Sequence, residues 1–365
     1  MLEKIRSLPL EQKIGQLFFI GLPGVELDEE AKNLLQEVSA GGVCFFTRNI
    51  REASQTRKLL DDLRDFLPIE PILSLDQEGG LVDRLRRVAT PMPSASSLKT
   101  TENIKKLAEI TAKLIRIFGF NTNFAPVVDI PTQESLKTQN GLQSRCFGES
   151  LESVVALSEI YLKTLQDNKI LGCPKHFPGI GSSVTDPHEE LPIVKNNHQD
   201  LLKNDLIPYQ KLLQQTHQIM IAHAAYPNLD LQERDQNGKL LPSSLSYNIV
   251  TKLLRQELDF QGLVVTDDLE MGAILKNYGI GEACKMAIKA GVDMLLICAN
   301  PDAVKEGFRA ISQAIKTGEI TEKQLEESLQ RIALYKNLMQ PPVNFDKNRV
   351  AELSKEIEKL NEKIK

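Results

Sequence analysis

The sequence contains no tryptophan, six tyrosines and only five histidines. The lack of tryptophan argues against a broad aromatic platform on which bases or sugar rings stack. The short list of histidines limits the residues from which any imidazole-based site can be built. The five cysteines form no CxxC pair, which disfavours a disulfide framework or a zinc knuckle and fits a reducing, cytoplasmic compartment.

Long apolar runs and an excess of basic charge are also missing. No stretch approaches the roughly 18 consecutive apolar residues of a membrane span, and the first residues do not show the basic-then-apolar order of a signal peptide. The 44 Lys and Arg residues are outnumbered by 49 Asp and Glu residues, so the formal net charge is −5. We therefore expect no membrane span and no nucleic-acid partner, since nucleic acids are normally bound by a basic face.

Short apolar runs alternate with longer amphipathic segments along most of the chain. The runs are nearly continuously apolar, as expected for parallel strands that are covered on both faces. They lie at residues 17–20, 42–46, 72–76, 123–128, 171–175, 218–222, 263–266 and 294–298. Helical periodicity predicts helices near 27–39, 51–65, 102–118, 149–168, 198–216, 246–258, 279–290 and 302–316, and a last helix that Thr321 caps and that runs to about 338.

Eight strand–helix repeats are typical of a (β/α)8 TIM barrel, which is an α/β fold. An open doubly wound sheet is the structural alternative, although no GxGxxG turn follows the first run. Length alone would allow two domains, but the repeats predict a single barrel domain over residues 1–340. Residues 341–365 are rich in Lys and Glu with a sparse apolar stripe. They indicate a charged C-terminal helical tail on the surface, with a partner-binding helix as the alternative.

Ionisable residues directly follow several of the predicted strands. The catalytic residues of a barrel lie at the carboxyl ends of its strands, so these residues are candidates for a functional site. They are Asp76 and Arg84 after strand three, Asp129 and Arg145 after strand four, Lys175 and His176 at the end of strand five, His223 after strand six, and Asp267 and Asp268 after strand seven. Asp268 could instead cap the next helix, and His223 could be a core histidine with satisfied hydrogen bonds.

The loop after strand five carries Asp186 and His188, two residues apart. Residues at i and i+2 of an extended segment project to the same side. Asp186 can then accept a hydrogen bond from one imidazole nitrogen and fix the tautomer of the ring, as in acyl-transfer triads. A simple turn with an exposed histidine gives the same sequence pattern, so the pattern alone does not decide between the two.

Two other chemistries would use the same residues. Lys175 would be the Schiff-base lysine of a barrel aldolase if its amine were desolvated and its pKa lowered. Metal dependence would require the histidines at 176, 188 and 223 to converge, and the first predicted strand ends without the H-x-H ligands that barrel hydrolases often carry there. We therefore expect neither a metal nor a cofactor.

Taken together, the motifs resemble those of glycoside hydrolase family 3, and most closely its single-domain β-N-acetylglucosaminidases (β-N-acetylhexosaminidases) of peptidoglycan recycling. The resemblance runs from about residue 5 to about residue 338. It is carried by residues 13–18, 41–43 with 48–49, 76–85, 123–129, 144–148, 175–188 and 265–271. The stretch 175–188 is the most specific of these signatures.

The resemblance implies a role for each matched residue. Asp267 matches the nucleophile that attacks the anomeric carbon and forms a glycosyl-enzyme. His188 matches the general acid/base, with Asp186 as its charge partner, in place of the second carboxylate that retaining glycosidases ordinarily use. The residues that match the groups binding the N-acetylglucosamine (GlcNAc) unit are Asp76, Arg84, Arg145, Lys175 and His176.

The resemblance also implies an activity. The implied enzyme is a retaining exo-β-N-acetylglucosaminidase, a cytoplasmic monomer that removes terminal β-linked GlcNAc from muropeptides containing GlcNAc-1,6-anhydro-MurNAc. The alternatives are a β-glucosidase or a GlcNAc phosphorylase of the same family, a Schiff-base aldolase using Lys175, and a sensor that binds GlcNAc without cleaving it. The family's β-glucosidases take their acid/base carboxylate from elsewhere, whereas Asp186 and His188 are present here.

The sequence departs from the family pattern at one position near the dyad. The family commonly has His-Gly after the Pro-Gly of the signature stretch, and this chain has Ile180 followed by Gly181. The contribution of that histidine is therefore missing, although Asp186 and His188 are intact.

Overall fold

The computed structural model describes residues 1–138 and 140–364. Each of the eight predicted apolar runs contributes a strand to one sheet, and all of the paired strands are parallel. The strands are β1 (Phe18–Gly21), β2 (Gly42–Phe45), β3 (Ile72–Leu75), β4 (Thr122–Asn123), β5 (Leu171–Gly172), β6 (Gln218–Ile221), β7 (Leu263–Asp268) and β8 (Met294–Ile297).

Helices cover the outside of the sheet. They are α1 (Leu2–Arg6), α2 (Leu10–Gly15), α3 (Glu29–Val38), α4 (Ala53–Phe66), α5 (Thr101–Phe118), α6 (Leu151–Asp167), α7 (His198–Asp200), α8 (Ile207–Leu212), α9 (Gly272–Leu275), α10 (Ile280–Ala290), α11 (Pro301–Lys316), α12 (Glu322–Leu338) and α13 (Lys347–Ile364). Segments Leu201–Asp205 and Asn248–Glu257 are π-helical. The predicted cap of α12 is confirmed, because Thr321 Oγ1 accepts a hydrogen bond from the Gln324 amide at 3.2 Å.

The order of the strands closes the sheet into a barrel. Neighbouring strands follow the order β5-β4-β3-β2-β1-β8-β7-β6. The two ends of this order meet at Phe177, whose amide donates to the Met220 carbonyl at 2.9 Å and whose carbonyl accepts from the Ala222 amide at 2.8 Å. The predicted (β/α)8 barrel is thereby confirmed, and the carboxyl ends of all eight strands face the same end of the molecule.

Strands β4 and β5 are shorter than the predicted runs. Pro126 and Pro174 lie within those runs, and proline has no amide hydrogen to donate to a ladder. Pairing resumes beyond them, where the Val128 amide donates to the Lys175 carbonyl at 2.8 Å. The chain therefore reaches the top of the barrel in irregular extended segments at these two strands.

A small hairpin that sequence analysis did not predict follows β3. Its antiparallel strands are Gln77–Gly79 and Val82–Asp83. It forms directly after the barrel strand, so it stands at the carboxyl end of the barrel, where the predicted site residues lie.

Phenylalanine supplies most of the aromatic packing in this tryptophan-free core. The ring centroids of Phe19 and Phe124 are 5.2 Å apart, and those of Phe45 and Phe120 are also 5.2 Å apart. Gly42 allows the close approach of Phe19, because a Cβ there would lie 2.7 Å from the ring. The aromatic residues thus stabilise the barrel by burial and edge contacts.

The last helix, α13, packs against α5. Its side chains Val350, Leu353, Ile357 and Leu360 are buried and belong to the main hydrophobic core. These positions recur every three or four residues, so the sparse apolar stripe of the sequence lies on one helix face.

No helix among residues 1–138 and 140–364 is long and apolar enough to cross a membrane. All five cysteines are buried free thiols.

Candidate active site

A cavity of about 290 Å³ opens at the carboxyl end of the barrel. Its wall includes all eight residues to which the sequence assigned a role. These residues are Asp76, Arg84, Arg145, Lys175, His176, Asp186, His188 and Asp267. They come from the loops after β3, β4 and β5 and from the end of β7, which meet because the parallel strands of the barrel all end at the same side.

Lys175 lies at the centre of a buried charge network. Its side chain is only 2% exposed, and its Nζ donates to Asp76 Oδ1 at 2.6 Å and lies 2.7 Å from Glu78 Oε1. Arg84 Nη2 donates to the other oxygen of Asp76 at 3.3 Å. The network therefore connects the segment that follows β3 to Lys175, which follows β5.

Glu78 is a member of this site that sequence analysis did not assign. Both its oxygens accept hydrogen bonds from Arg145, with Nε at 2.7 Å and Nη2 at 3.0 Å. Such two-point pairing fixes the orientation of the guanidinium as well as its position. The signal in the sequence was its spacing, because Glu78 follows Asp76 by two residues and the two side chains of an extended segment then project to one side.

The charges of this network set the ionisation of its members. Burial alone would raise the pKa of Asp76, but Lys175 and Arg84 hold it well below its usual range. Burial also opposes the ionised form of Glu78, and Arg145 with Lys175 lowers its pKa to about 2. The pKa of Lys175, which burial alone would lower, is raised by the two carboxylates. All three groups are therefore charged at neutral pH.

His176 is oriented by Asp129, which the sequence named as a candidate site residue without giving it a specific role. Its Nδ1 lies 2.8 Å from Asp129 Oδ2, and the carboxylate can only accept, so Nδ1 carries the proton. Asp129 also accepts from the backbone amides of His176 at 3.2 Å and Ile180 at 2.8 Å. The other nitrogen, Nε2, then lies 3.4 Å from Arg145 Nη2 and 4.0 Å from Asp267 Oδ2.

Asp267 is a partly accessible carboxylate in the cavity wall. Its side chain is 22% exposed, and its Oδ1 accepts from the amide of Asp268 at 2.8 Å. Burial would raise its pKa, but His176 and Lys175 lower it. Asp267 is therefore ionised, and its Oδ2 accepts no hydrogen bond from the described residues, which suits a nucleophile.

His223 supports the end of β7 from the neighbouring strand. Its Nε2 lies 3.0 Å from the backbone carbonyl of Asp268, and its Nδ1 lies 2.7 Å from Ser244 Oγ. Because a carbonyl only accepts, Nε2 carries the proton and Ser244 donates to Nδ1. Burial lowers the pKa of His223. The imidazole is therefore neutral, buried and satisfied on both nitrogens, and it holds the backbone next to Asp267.

Asp268 does not cap the helix that follows it. The residue at that cap position of α9 is Met271, while Asp268 Oδ1 accepts from the amide of Glu270 at 3.0 Å in a local turn. Burial raises the pKa of Asp268 to about 7. The two adjacent carboxyl groups thus differ, since Asp267 is held ionised and Asp268 is partly protonated at neutral pH.

Asp186 and His188 form the expected hydrogen-bonded pair. His188 Nδ1 lies 2.7 Å from Asp186 Oδ1, and the same oxygen accepts from the backbone amide of His188 at 2.9 Å. The carboxylate therefore fixes the proton on Nδ1. The side chain of His188 is 71% exposed and that of Asp186 27% exposed, so the pair lies at the rim of the cavity, and His188 Nε2 makes no hydrogen bond to the residues that the structure describes.

The loop that carries this pair is held against the segment after Asp267. The Gly272 amide donates to the His188 carbonyl at 3.1 Å, and the Ala273 amide donates to the Pro187 carbonyl at 3.2 Å. A Cβ at Gly272 would lie 2.6 Å from the His188 carbonyl oxygen, so the approach requires glycine. These two hydrogen bonds thereby join the loop after β5 to the segment after β7 at the cavity.

Ile180 places an apolar side chain in the cavity wall where the family pattern has a histidine. In the described part of the chain, no three His, Cys, Asp or Glu side chains are grouped as metal ligands would be. The histidines at 176, 188 and 223 instead have separate carboxylate, carboxylate and hydroxyl partners.

Comparison with known proteins identifies relatives over most of the chain. Residues 9–334 match the family model described as the glycosyl hydrolase family 3 N-terminal domain. A beta-hexosaminidase of Psychromonas ingrahamii is 31% identical over 289 residues, which cover 76% of this chain and 81% of that protein. A beta-hexosaminidase of Pseudomonas aeruginosa is 30% identical over 304 residues, which cover 81% of this chain and 86% of that protein.

A solved structure is also similar in fold. The glycoside hydrolase family 3 beta-N-acetylglucosaminidase from Paenibacillus sp. FPU-7 superimposes with a TM-score of 0.87 and 31% sequence identity. The match covers 97% of this chain and 69% of that one.

The substitution Glu78→Gln tests the buried charge network through its pH dependence. Because the pKa of Glu78 is lowered from 4.5 to about 2 on folding, its ion pairs stabilise the protein above pH 4.5, and this contribution is lost as the pH falls toward 2. We expect the free energy of unfolding of the wild type to fall by about 2 kcal/mol more between pH 5 and pH 3 than that of the variant. Urea unfolding at both pH values measures this difference.

A matched control is Asp167→Asn, which removes an exposed carboxylate paired with Lys163 at 2.8 Å. Exposed pairs contribute little to stability, so this variant should show the same pH dependence as the wild type. If the free energy of unfolding fell equally for Glu78→Gln and the wild type between pH 5 and pH 3, the buried ion pairs of Glu78 would not stabilise the protein as proposed.

Proposed function

Because this chain belongs to glycoside hydrolase family 3 and is therefore a glycoside hydrolase, we propose that it is a retaining exo-β-N-acetylglucosaminidase. The observation that carries this proposal is that ionised Asp267 and the Asp186–His188 pair line one cavity. The names of the relatives, which include beta-hexosaminidase and beta-N-acetylglucosaminidase, support the choice of sugar.

In the first step, the Asp267 carboxylate attacks the anomeric carbon of the terminal sugar. The bond to the glycosidic oxygen breaks as His188 donates its proton to that oxygen, and the aglycone leaves as an alcohol. A covalent glycosyl-enzyme remains on Asp267. Splitting the displacement into two steps in this way is the general advantage of nucleophilic catalysis.

In the second step, His188 acts as a base. It accepts a proton from water as the water oxygen attacks the anomeric carbon, and Asp267 leaves as a carboxylate. Two inversions give net retention of configuration. Imidazole suits both steps because histidine exchanges protons close to neutral pH, and Asp186 stabilises the imidazolium and holds its orientation.

The charged residues of the cavity bind the sugar. Lys175, Arg84 and Arg145 offer N–H donors to sugar hydroxyls, and Asp76 offers acceptor oxygens. Hydrogen bonds in which one partner is charged are short and strong. Because the network of ion pairs holds these groups in fixed positions before the sugar enters, little ordering is needed on binding.

The substrate we propose is GlcNAc linked to 1,6-anhydro-MurNAc in muropeptides from peptidoglycan recycling, cleaved in the cytoplasm by a monomeric enzyme without a metal or cofactor. The buried free thiols support a reducing compartment. Bacterial relatives named beta-hexosaminidase support a cell-wall sugar.

The charge of Lys175 disfavours the aldolase alternative. A Schiff-base lysine must lose its proton to attack a carbonyl, and a lowered pKa makes this possible. Here two carboxylates raise the pKa of Lys175 and lie 2.6 and 2.7 Å from its Nζ. The amine is therefore a protonated structural cation.

A comparison of substrates tests the proposed specificity. We expect kcat/KM for an aryl β-N-acetylglucosaminide to exceed that for the matching aryl β-glucoside by at least about 100-fold, since a site that binds the acetamido group leaves polar atoms unpaired without it. GlcNAc-1,6-anhydro-MurNAc should be cleaved as well. Product analysis with and without phosphate distinguishes hydrolysis from formation of the sugar 1-phosphate. A preference for the glucoside would favour the family's β-glucosidase activity instead.

The variant Asp267→Asn tests the nucleophile. An amide cannot form the glycosyl ester, so kcat on the aryl N-acetylglucosaminide should fall by about 10³-fold or more while the fold persists. The control is Asp259→Asn, an exposed residue at the opposite end of the barrel, which should retain full activity. Near-normal turnover by Asp267→Asn would contradict the covalent mechanism.

The variant His188→Ala tests the acid/base through the leaving group. A dinitrophenolate leaves without protonation, whereas the oxygen of an alkyl or sugar aglycone requires a proton. We therefore expect His188→Ala to lower the rate of the first step far more for an alkyl N-acetylglucosaminide than for the dinitrophenyl compound. Single-turnover measurements separate this step from hydrolysis of the intermediate. Equal losses on the two substrates would show that His188 is not the acid.

A further inference from the structure

We propose that α13 positions Arg84 in the sugar cavity, with Ser354 and Asn361 as the positioning residues that connect the helix to the hairpin after β3. The helix lies outside residues 9–334, which the family model matches. The inference deepens the proposed function and rests on it for the identity of the sugar. The contact between α13 and the segment that leaves the hairpin consists of hydrogen bonds between residues more than 250 positions apart in the sequence.

Three polar contacts join α13 to the segment that leaves the hairpin. Ser354 Oγ accepts from the Thr90 amide at 3.3 Å. Glu358 Oε1 accepts from the Thr90 hydroxyl at 3.3 Å. Asn361 Nδ2 donates to the Pro91 carbonyl at 3.0 Å. These residues follow one another at intervals of three or four along the helix, so they lie on one face and follow the Thr90–Pro91 backbone.

The helix is itself fixed to the barrel by a separate set of contacts. Its buried apolar stripe packs on α5, and Lys106 and Lys363 make ion pairs with Glu356 and Glu102 at 2.5 and 2.9 Å. The polar face that contacts Thr90 and the apolar face that contacts α5 are thus distinct. The helix therefore joins the segment that leaves the hairpin to α5, and it fixes that segment relative to the barrel.

The contact continues from Pro91 into the base of the hairpin through Met92. The Met92 amide donates to Asp83 Oδ2 at 2.8 Å, and its carbonyl accepts from the Gly80 amide at 3.0 Å. The other oxygen of Asp83 accepts from Gln77 Nε2 at 2.7 Å. Met92, Asp83 and Gln77 are all buried, so these hydrogen bonds are shielded from water.

Gln77 completes the connection to the cavity. Its Oε1 accepts from the backbone amides of Arg84 at 3.0 Å and Leu85 at 3.1 Å. The Arg84 side chain reaches from this point into the cavity, where it meets Asp76 at 3.3 Å and its guanidinium carbon lies 5.4 Å from the centre of the Phe46 ring. The position of the Arg84 backbone is therefore set by the contacts at the base of the hairpin.

The hairpin needs external support because it is small. Its strands have three and two residues, and an isolated two-stranded hairpin is at best marginally stable. Leu81 at its tip is 69% exposed, so the tip gains little from packing. Its position depends on the segments that hold its base, and α13 is one of them.

The double variant Ser354→Ala/Asn361→Ala tests the inference in the full-length protein. We expect KM for the aryl N-acetylglucosaminide and Kd for free GlcNAc to rise about 3- to 10-fold, with kcat changed less than 2-fold, because loss of a binding contact by a loosened Arg84 weakens ground-state and transition-state binding alike. We also expect amide hydrogen exchange in peptides covering residues 78–93 to become faster. Steady-state kinetics, calorimetry and exchange mass spectrometry give these three readouts.

The matched control is Lys363→Ala, which removes an α13–α5 ion pair and leaves the contacts to Thr90 and Pro91 in place. It should leave Kd and the exchange of 78–93 unchanged. The proposal is overturned if the double variant folds and keeps wild-type Kd and exchange, even with a lower Tm, or if the control alters them equally. If the wild type does not bind GlcNAc, the proposed function is contradicted, and the exchange rates alone then decide whether α13 positions the hairpin.

Discussion

The buried ammonium of Lys175 is the group on which the rest of the site depends. A lysine that is 2% exposed has lost its hydration, and this cost is offset only by close pairing with opposite charge. Asp76 and Glu78 supply that pairing, and Glu78 in turn holds Arg145 by two hydrogen bonds. One cation thus brings together the loops after three neighbouring strands, and removing either carboxylate would leave a buried charge without its partner. The ion pairs around Lys175 therefore determine both the positions of the side chains that line the cavity and the charges that they present.

Much of the fold followed from local patterns. Strands covered on both faces are apolar along their length, so eight of them could be predicted, and the parallel barrel then brought residues as distant as Asp76 and Asp267 to one cavity. Glu78 and Asp129 were harder to assign, because each is defined by a partner on another loop and not by its neighbours in sequence. The hairpin after β3 was not predicted for a related reason. It is too short for a period-two pattern, and the contacts of Met92 and Asp83 hold it in place.

The absence of tryptophan has a structural counterpart at the cavity. Many sugar sites use a large aromatic face, whereas the aromatic residues that line this cavity are Phe46 and Phe124. Phe46 is itself covered by guanidinium groups, with the Arg48 carbon 4.5 Å and the Arg84 carbon 5.4 Å from its ring centre. Its electron-rich face therefore stabilises cations by cation–π contact. Binding is left to directional hydrogen bonds from charged groups, which depend on accurate placement more than on buried area.

The two groups proposed to carry the chemistry lie in opposite surroundings, and each suits its task. Asp267 lies among His176, His223 and Lys175, and His176 and Lys175 keep its carboxylate ionised despite burial. His188 is mostly exposed and held by one carboxylate, so the attacking water can reach it and return the proton that it gave to the aglycone in the first step. The attacking water would reach a buried acid/base less easily, and an exposed nucleophile would be solvated by water. Separating the groups by environment therefore allows a single cavity to keep one group ionised while the other cycles between protonation states.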